Sequence, residues 1–203
     1  LDFSKPHGYM VVDIGAGTTD IAVISMGGIS TCESFKTASF DFDTQIMRYI
    51  RKEYNIEIGN LMSESIKKQI GTVVQRPIEI AMVAKGRNVF TGLPESFEIT
   101  STEIYEAIKE TADAICNCIR TVLSKTEPDL VADINNDGIY LTGGGSLIHG
   151  MDKLISEYTG TAVHMLEDPT HSVVRGAAAA LRKPELLKHV NYQLRSIKEL
   201  TIE

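Results

Sequence analysis

Two glycine-rich loops, one near each end of the chain, carry the residue types that could bind phosphate groups. In the first loop, Gly15 and Gly17 follow a β-rich run that ends near Asp13. Glycine allows backbone conformations with positive φ, and successive amide N–H groups can form a nest that binds an anion. Thr18 and Thr19 add hydroxyl donors. A tight β-hairpin with a structural Asp13 fits the same residues, so this loop alone leaves phosphate binding open.

The carboxylate of Asp13 is the residue in the first loop that is best suited to a metal ion. It stands at the end of a predicted strand, directly before the glycines. Mg²⁺ prefers carboxylates together with phosphate oxygens, and it usually keeps several water ligands. We therefore predict that Asp13 holds Mg²⁺ through water.

The second loop is a run of three glycines between a short apolar strand and a predicted helix. Gly143, Gly144 and Gly145 follow the strand, and Ser146 precedes the helix predicted over residues 147–158. Free N–H groups and the helix dipole attract anions to such a position. The run has neither the Gly-Lys-Ser/Thr of a P-loop nor Rossmann spacing, so a tight βα turn remains the alternative. The two loops together indicate a nucleotide site more specifically than either one.

The composition limits the classes of binding partner and indicates the cellular compartment. A net charge of −7 and an aromatic content of 6% without tryptophan argue against binding to nucleic acid or to anionic lipid. Three cysteines without a regular framework favour reduced thiols in a cytoplasmic protein. No apolar run approaches the ~20 residues of a transmembrane helix.

The periodicity of apolar residues predicts an α/β domain with an insertion. We expect strands at 9–14, 20–25, 29–35, within 77–100, at 139–142 and at 162–165. We expect helices at 41–54, 63–70 with Ser63 as N-cap, from 101 onward, at 128–134, at 147–158, and as a last core helix around 177–181, with a polar helix or loose extension after 184. This order predicts a main subdomain of residues 1–57 and 136–203, with a smaller α+β subdomain inserted at 58–135.

Stretches that match one family extend over essentially the whole chain. They are residues 10–25, 85–88, 91–94, 129–134, 141–147, 167–169 and 174–176. These stretches resemble the MreB family of bacterial actin-like proteins, within the actin-like ATPase superfamily. The resemblance implies an actin-like ATPase lobe, a mixed sheet flanked by helices, with ATP and Mg²⁺ as cofactors.

The resemblance also implies a role for each site residue. Asp13 and Thr18 would be the catalytic pair, with Asp13 as the metal residue. The phosphates would be held by Gly15, Ala16, Gly17, Thr18 and Thr19. The nucleoside would lie between two groups of residues: Gly143, Gly144, Gly145 and Ser146 on one side, and Glu64 and Lys67 on the other.

Departures from the family pattern leave part of this interpretation open. Ala16 replaces a glycine, Gln69 replaces a frequent Glu, and the family's Gly-Gly-Asp or Ala-Gly-Asp becomes Ala38-Ser39-Phe40, with Asp41 one position later. The resemblance covers only the second of two lobes. The first phosphate motif, the Glu that positions water and the membrane-binding elements belong to the other lobe. We therefore expect weak or no ATPase activity from this chain alone.

The resemblance implies partners as well as chemistry. The family self-associates into filaments and works with the machinery that builds the cell wall. Two alternatives from other functional classes remain: a small-molecule kinase of the same fold, and a nucleotide-binding regulator or scaffold that does not hydrolyse ATP.

Overall fold

Eight strands and six α-helices are distributed along residues 6–182, the part of the chain that the computed structural model describes. The strands are β1 (Tyr9–Ile14), β2 (Thr19–Ser25), β3 (Gly28–Phe35), β4 (Ile56–Glu57), β5 (Ala81–Asn88), β6 (Pro94–Thr100), β7 (Ile139–Thr142) and β8 (Val163–Met165). The helices are α1 (Ser39–Tyr54), α2 (Asn60–Ile70), α3 (Ser101–Lys125), α4 (Pro128–Asp137), α5 (Met151–Thr159) and α6 (Ser172–Arg182). Within residues 6–182, no helix is both long and apolar enough to cross a membrane.

The larger sheet is mixed and has the strand order β3-β2-β1-β7-β8. Strands β1 and β2 form an antiparallel hairpin that closes where Ile14 pairs with Thr19. Strand β7 lies parallel to β1, with Asp13 opposite Thr142, and β8 lies parallel to β7. Parallel strands end at the same edge of a sheet, so the loops after β1 and after β7 are neighbours. This mixed sheet with flanking helices confirms the predicted fold class.

The smaller sheet has three antiparallel strands in the order β4-β5-β6. Strands β5 and β6 form a hairpin whose tip includes Gly92 at φ 71°, a conformation that favours glycine. Strand β4 lies at residues 56–57, just before the predicted start of the insertion at 58, and pairs with β5. The division into 1–57 with 136–203 and 58–135 remains a prediction.

Isoleucine dominates the core, and the face of α3 shows why this helix forms. Ile104, Ile108, Ile115 and Ile119 recur at helical spacing, and all four are fully buried. The facing helix α1 contributes Ile46 to the same core. Burying one such side chain contributes roughly 1.5–3 kcal/mol, so this face is a main source of stability.

The beginnings of two predicted helices are wrong. Helix α2 begins at Asn60, and Ser63 is not its N-cap but a buried residue whose hydroxyl donates to the Asp43 carbonyl at 2.7 Å. The helix predicted over 147–158 begins only at Met151, because Gly150 at φ 83° interrupts the chain. Before this break, Gly144–Leu147 form a 3₁₀ turn. Gly143 therefore precedes a single short turn, which Gly144 and Gly145 begin, and not a long helix with its dipole.

The last predicted helix is present as α6. Alanine favours a helix because it loses no side-chain entropy, whether or not the residue is buried. The alanine run therefore indicates the helix, and the place of this helix in the core remains a prediction. The extension predicted after residue 184 lies outside the described residues.

A reciprocal pair of hydrogen bonds starts α3 and offers a test of local stability. The Thr100 hydroxyl accepts from the Glu103 amide, and the Glu103 carboxylate accepts from the Thr100 amide. We predict that Thr100→Ala lowers the free energy of unfolding by about 1 kcal/mol. Urea denaturation measures this loss. The matched change Thr102→Ala, at an exposed neighbour, should stay within about 0.5 kcal/mol; equal losses from both changes would contradict the role of the cap.

Candidate functional site

The end of β1 and the loop after β7 are in such close contact that only glycine fits between them. Gly143 has φ 89°, and a Cβ atom there would lie 2.3 Å from both Asp13 Oδ1 and the Ile14 carbonyl oxygen. The Gly143 amide donates to the Pro169 carbonyl at 3.0 Å. Gly143 therefore joins the two strand ends, and its own N–H is already used within the chain.

In the next part of the second loop, Gly145 and Ser146 pack against the protein, whereas Gly144 faces open space. A Cβ on Gly145 would lie 2.5 Å from Ile14 Cγ2, whereas one on Gly144 would meet only Thr170 Cγ2 at 3.9 Å. Ser146 is fully buried, and its hydroxyl donates to the Gly143 carbonyl at 2.6 Å. Ser146 therefore holds the 3₁₀ turn closed, and Gly144 presents backbone to the exterior.

The first loop is held by backbone bonds on both sides. The Gly15 amide donates to the Thr18 carbonyl at 2.8 Å, which closes the turn. The amides of Ser39 and Phe40, at the start of α1, donate to the carbonyls of Gly15 and Ala16 at 3.2 and 2.8 Å. These bonds fix the loop against α1, so its shape does not depend on a ligand.

The hydroxyl groups of the first loop have different surroundings. Thr18 and Gly17 are exposed, and the Thr18 hydroxyl donates to Asp20 Oδ2 at 2.8 Å. Thr19 is fully buried, and its hydroxyl donates to the Thr37 carbonyl at 2.7 Å. The predicted hydroxyl donor of Thr19 is therefore used inside the chain, and Thr18 is the one that can turn toward a ligand.

The carboxylate of Asp13 is partly buried beside this loop. Burial raises its pKa, and the nearby carboxylate of Asp20 raises it further. Both causes disfavour the negative charge, so a bound cation would relieve them. The described residues hold no cluster of three or more His, Cys, Asp or Glu side chains arranged for a metal. An ion here would need ligand oxygens in addition to Asp13.

The two loops and α2 enclose a cleft of about 520 Å³. This volume is typical of small-molecule sites. Six of the residues predicted from sequence line the cleft: Gly15, Ala16, Glu64, Lys67, Gly144 and Gly145. The remaining predicted residues, Asp13, Gly17, Thr18, Thr19, Gly143 and Ser146, lie in the adjoining loops and strands outside the lining. The role of all twelve as ligand contacts remains a prediction.

Lys67 is the centre of a network that the sequence analysis missed. Its ammonium group donates to Asp43 Oδ2 at 2.7 Å, to the Ser39 hydroxyl at 2.8 Å and to the Ser39 carbonyl at 3.1 Å. Both charged side chains are only 10% exposed. Asp43 and Asp41 look alike in the sequence as acids near a helix N-terminus, but only Asp41 caps the helix, by accepting from the Ala38 amide.

Glu64 lies on the solvent side of the same helix. Its carboxylate pairs with the Lys68 ammonium at 2.7 Å, and this contact lowers the pKa of Glu64. Glu64 and Lys68 both line the cleft. Exposed pairs of this kind contribute little to stability, so Glu64 can exchange Lys68 for a ligand at low cost.

The Lys67 network predicts a large effect on stability. We expect Lys67→Ala to lower the free energy of unfolding by about 3–5 kcal/mol, because it leaves the buried Asp43 carboxylate without its cation. Chemical denaturation measures the loss. The control Lys68→Ala removes a cation whose side chain is 69% exposed and should cost less than about 1 kcal/mol. A loss at Lys67 as small as at Lys68 would contradict the importance of the pair.

The raised pKa of Asp13 predicts a pH dependence of stability. Between the ordinary Asp pKa of about 3.9 and the raised value, the folded state binds more protons than the unfolded state, so stability falls as pH rises. Asp13→Asn removes the partly buried charge that causes this loss of stability. We expect it to raise the melting temperature at pH 7, with the gain disappearing below pH ~4. Asp20→Asn should also raise the melting temperature at pH 7, but by less, because the Asp20 carboxylate is the smaller of the two causes that raise the pKa of Asp13. An Asp13→Asn variant that is less stable than the original chain at pH 7 would contradict this account.

Comparison with known proteins places the same features in one family. The family model described as MreB/Mbl protein matches residues 1–189. The chain is 43% identical over 187 residues to the cell shape-determining protein Mbl of Bacillus cereus, covering 92% of this chain and 56% of the relative. It is 39% identical to the cell shape-determining protein MreB of Escherichia coli, covering 89% of this chain and 52% of the relative. The chain therefore spans about half the length of these relatives.

Solved structures agree with this assignment. The structure of MreB5 of Spiroplasma citri bound to AMPPNP superposes with a TM-score of 0.86 at 35% identity, over 91% of this chain and 56% of that one. A MamK double helical filament superposes with a TM-score of 0.69 at 23% identity, over 86% of this chain and 54% of that one, which shows the shared fold alone. The matched family model and the identity to curated relatives show that this chain belongs to the MreB/Mbl family of actin-like proteins.

Proposed function

We propose that this chain is the nucleotide-binding lobe of a filament-forming, actin-like protein that acts in determining cell shape. One observation carries the proposal: the parallel pairing of β1 with β7 brings both glycine loops to one cleft, which α2 closes on its other side. The related MreB5 of Spiroplasma citri is described as bound to AMPPNP and to ADP, which supports the same ligand class here.

The phosphate groups would lie at the end of the cleft where the two loops meet. Gly144 presents open backbone there, and Gly15 and Ala16 line the same end. The exposed Thr18 can donate its hydroxyl after leaving Asp20. The Lys67 ammonium adds positive charge nearby, although Asp43 already pairs with it. Backbone amides that are fixed before binding lose little freedom when an anion arrives.

Asp13 fits a Mg²⁺ ion that accompanies the phosphates. Its carboxylate is partly buried, and burial together with the nearby Asp20 carboxylate raises its pKa. Mg²⁺ commonly uses one or two carboxylates together with phosphate oxygens and water. When bound, the ion would neutralise phosphate charge, and Asp13 would hold it by way of water ligands.

The nucleoside would lie farther along α2. Glu64 lines the cleft from an exposed position, where its carboxylate can accept hydrogen bonds from ribose hydroxyls. Leu147 and Ile148 line the opposite side with apolar surface, and Leu147 is 58% exposed. Such a combination of apolar walls and few polar groups is typical of small-molecule sites.

Self-association has a candidate surface at the tip of the β5–β6 hairpin. Phe90 is 79% exposed and Leu93 is 66% exposed, with the partly exposed Val89 beside them. A cluster of exposed apolar side chains indicates a surface that contacts another protein. The relatives Mbl and MreB are named as cell shape-determining proteins, and we propose a second copy of this chain as the partner at this surface.

Nucleotide binding is tested by filling the cleft at its open glycine. We expect Gly144→Val to weaken binding of a fluorescent ATP analogue with Mg²⁺ more than tenfold, because the new side chain occupies space that a phosphate would need. The control Gly28→Val adds the same side chain to β3, where a Cβ meets only the Ser25 carbonyl at 3.9 Å. Equal affinity of Gly144→Val and the original chain would reject the proposed site.

Assembly is tested by sedimentation. We expect ATP with Mg²⁺ to increase the fraction of protein in the pellet, and Phe90→Ser to reduce that fraction by at least half. Met26→Ser is the matched control, since Met26 is 72% exposed at the β2–β3 turn. A protein that stays monomeric with nucleotide, or that phosphorylates a small molecule instead, would contradict the filament proposal.

A further inference from the structure

The cleft has two distinct ends, which the contacts of α2 define. Near one end, Lys67 bonds to Ser39, whose own amide bonds to the first glycine loop. One turn later, about 6 Å farther along the helix axis, Gly71 ends α2. The chain then reaches His149, whose carbonyl accepts from the Val73 amide at 3.0 Å and whose ring contacts the Thr72 hydroxyl at 2.9 Å. The glycine loops and Lys67 therefore mark one end of the cleft, and His149 marks the other.

Arg76 lies at the His149 end of the cleft and has an unusual environment. It lines the cleft together with Gly71, Leu147 and His149. Its Nε atom is buried, and it has no hydrogen-bond partner among the described residues. A single weak bond, from Nη2 to the Gly71 carbonyl at 3.4 Å, holds the guanidinium group. Contacts among the described residues therefore hold the guanidinium group only weakly, which leaves it available to a ligand in the cleft.

The surroundings of Arg76 disfavour a phosphate as its partner. Lys67 and Gly145 lie beside Ser39 at the loop end of the cleft, whereas Gly150, which follows His149, packs against Val74. The apolar Leu147 lies between Gly145 and His149 in the chain and lines the cleft. Burial lowers the pKa of His149, and the charges of Arg76 and Lys153 lower it further, which disfavours a second positive charge beside Arg76. An uncharged, flat and partly apolar ligand group suits this end.

We propose that Arg76 recognises the nucleobase by stacking its planar guanidinium group on the ring, with Leu147 providing apolar surface for the base. This inference rests on the proposed nucleotide-binding function and adds the residue that contacts the base. Guanidinium groups stack well on aromatic rings, which a lysine ammonium group cannot reproduce in the same geometry. Stacking does not read the edge of a base, so adenine and guanine nucleotides should depend on Arg76 alike.

The test compares ligands with and without a base, using the 203-residue chain at physiological ionic strength. Calorimetry measures the affinities for ATP, GTP and inorganic tripolyphosphate, each with Mg²⁺. We expect Arg76→Ala to weaken ATP and GTP by a similar factor of about five to ten, and tripolyphosphate by less than twofold. Arg76→Lys should restore less than half of the loss. Lys153→Ala, which removes another cation near His149, should leave all three affinities within twofold.

The outcomes separate this inference from the proposed function. Unchanged ATP affinity in Arg76→Ala, or an equal loss for tripolyphosphate and ATP, overturns the stacking role while nucleotide binding stands. Full recovery in Arg76→Lys also overturns it, because charge alone would then suffice. If the unaltered chain binds neither ATP nor tripolyphosphate, the proposed function and this inference both fail. Circular dichroism of each variant establishes that it is folded before its affinities are compared.

Discussion

The parallel pairing of β1 with β7 is the constraint on which the rest of the site depends. It places Asp13 opposite Thr142, so the chain leaves both strands at the same edge of the sheet. The loops after these strands then share a space in which Gly143 is closely surrounded by Asp13 and Ile14. A side chain larger than hydrogen at Gly143 would force the two strand ends apart. The glycines therefore serve the packing of the sheet as well as any ligand.

Two other elements convert this sheet edge into a cleft. Helix α1 fixes the first loop through the amides of Ser39 and Phe40. Helix α2 is then held against α1 by the pair of Lys67 and Asp43, which lies almost out of contact with water. A pair in this position restricts the orientation of α2 because loss of either partner leaves a buried charge. The width of the cleft thus depends on a few polar contacts between helices.

The sequence predicted the local features well because their causes are local. The turn after β1, the buried strand β7 and the apolar stripe of α3 follow from glycine runs and from the spacing of apolar residues. Resemblance to one family added Glu64 and Lys67, which do line the same cleft as the glycines. Their function as ligand contacts is still a prediction. The start of α5 was misplaced because Gly150 interrupts the chain, which the helical pattern did not indicate.

Contacts between distant residues could not be predicted in this way. Lys67 meets residues 24 and 28 positions earlier, and no periodic pattern distinguishes Asp43 from Asp41. Arg76 has no motif around it, and its place in the cleft follows from the contacts of Thr72 and Val73 with His149. Such contacts arise only when α2 and the second loop pack together. They determine which polar groups a ligand can still use.

A crystal structure of the chain with Mg²⁺ and AMPPNP would test the central claim most directly. The account predicts phosphate density against the backbone of Gly15, Ala16 and Gly144, the metal within water-mediated reach of Asp13, and the base between Leu147 and Arg76. Density for the nucleotide at another surface, or a cleft that stays free of nucleotide at saturating concentration, would contradict it.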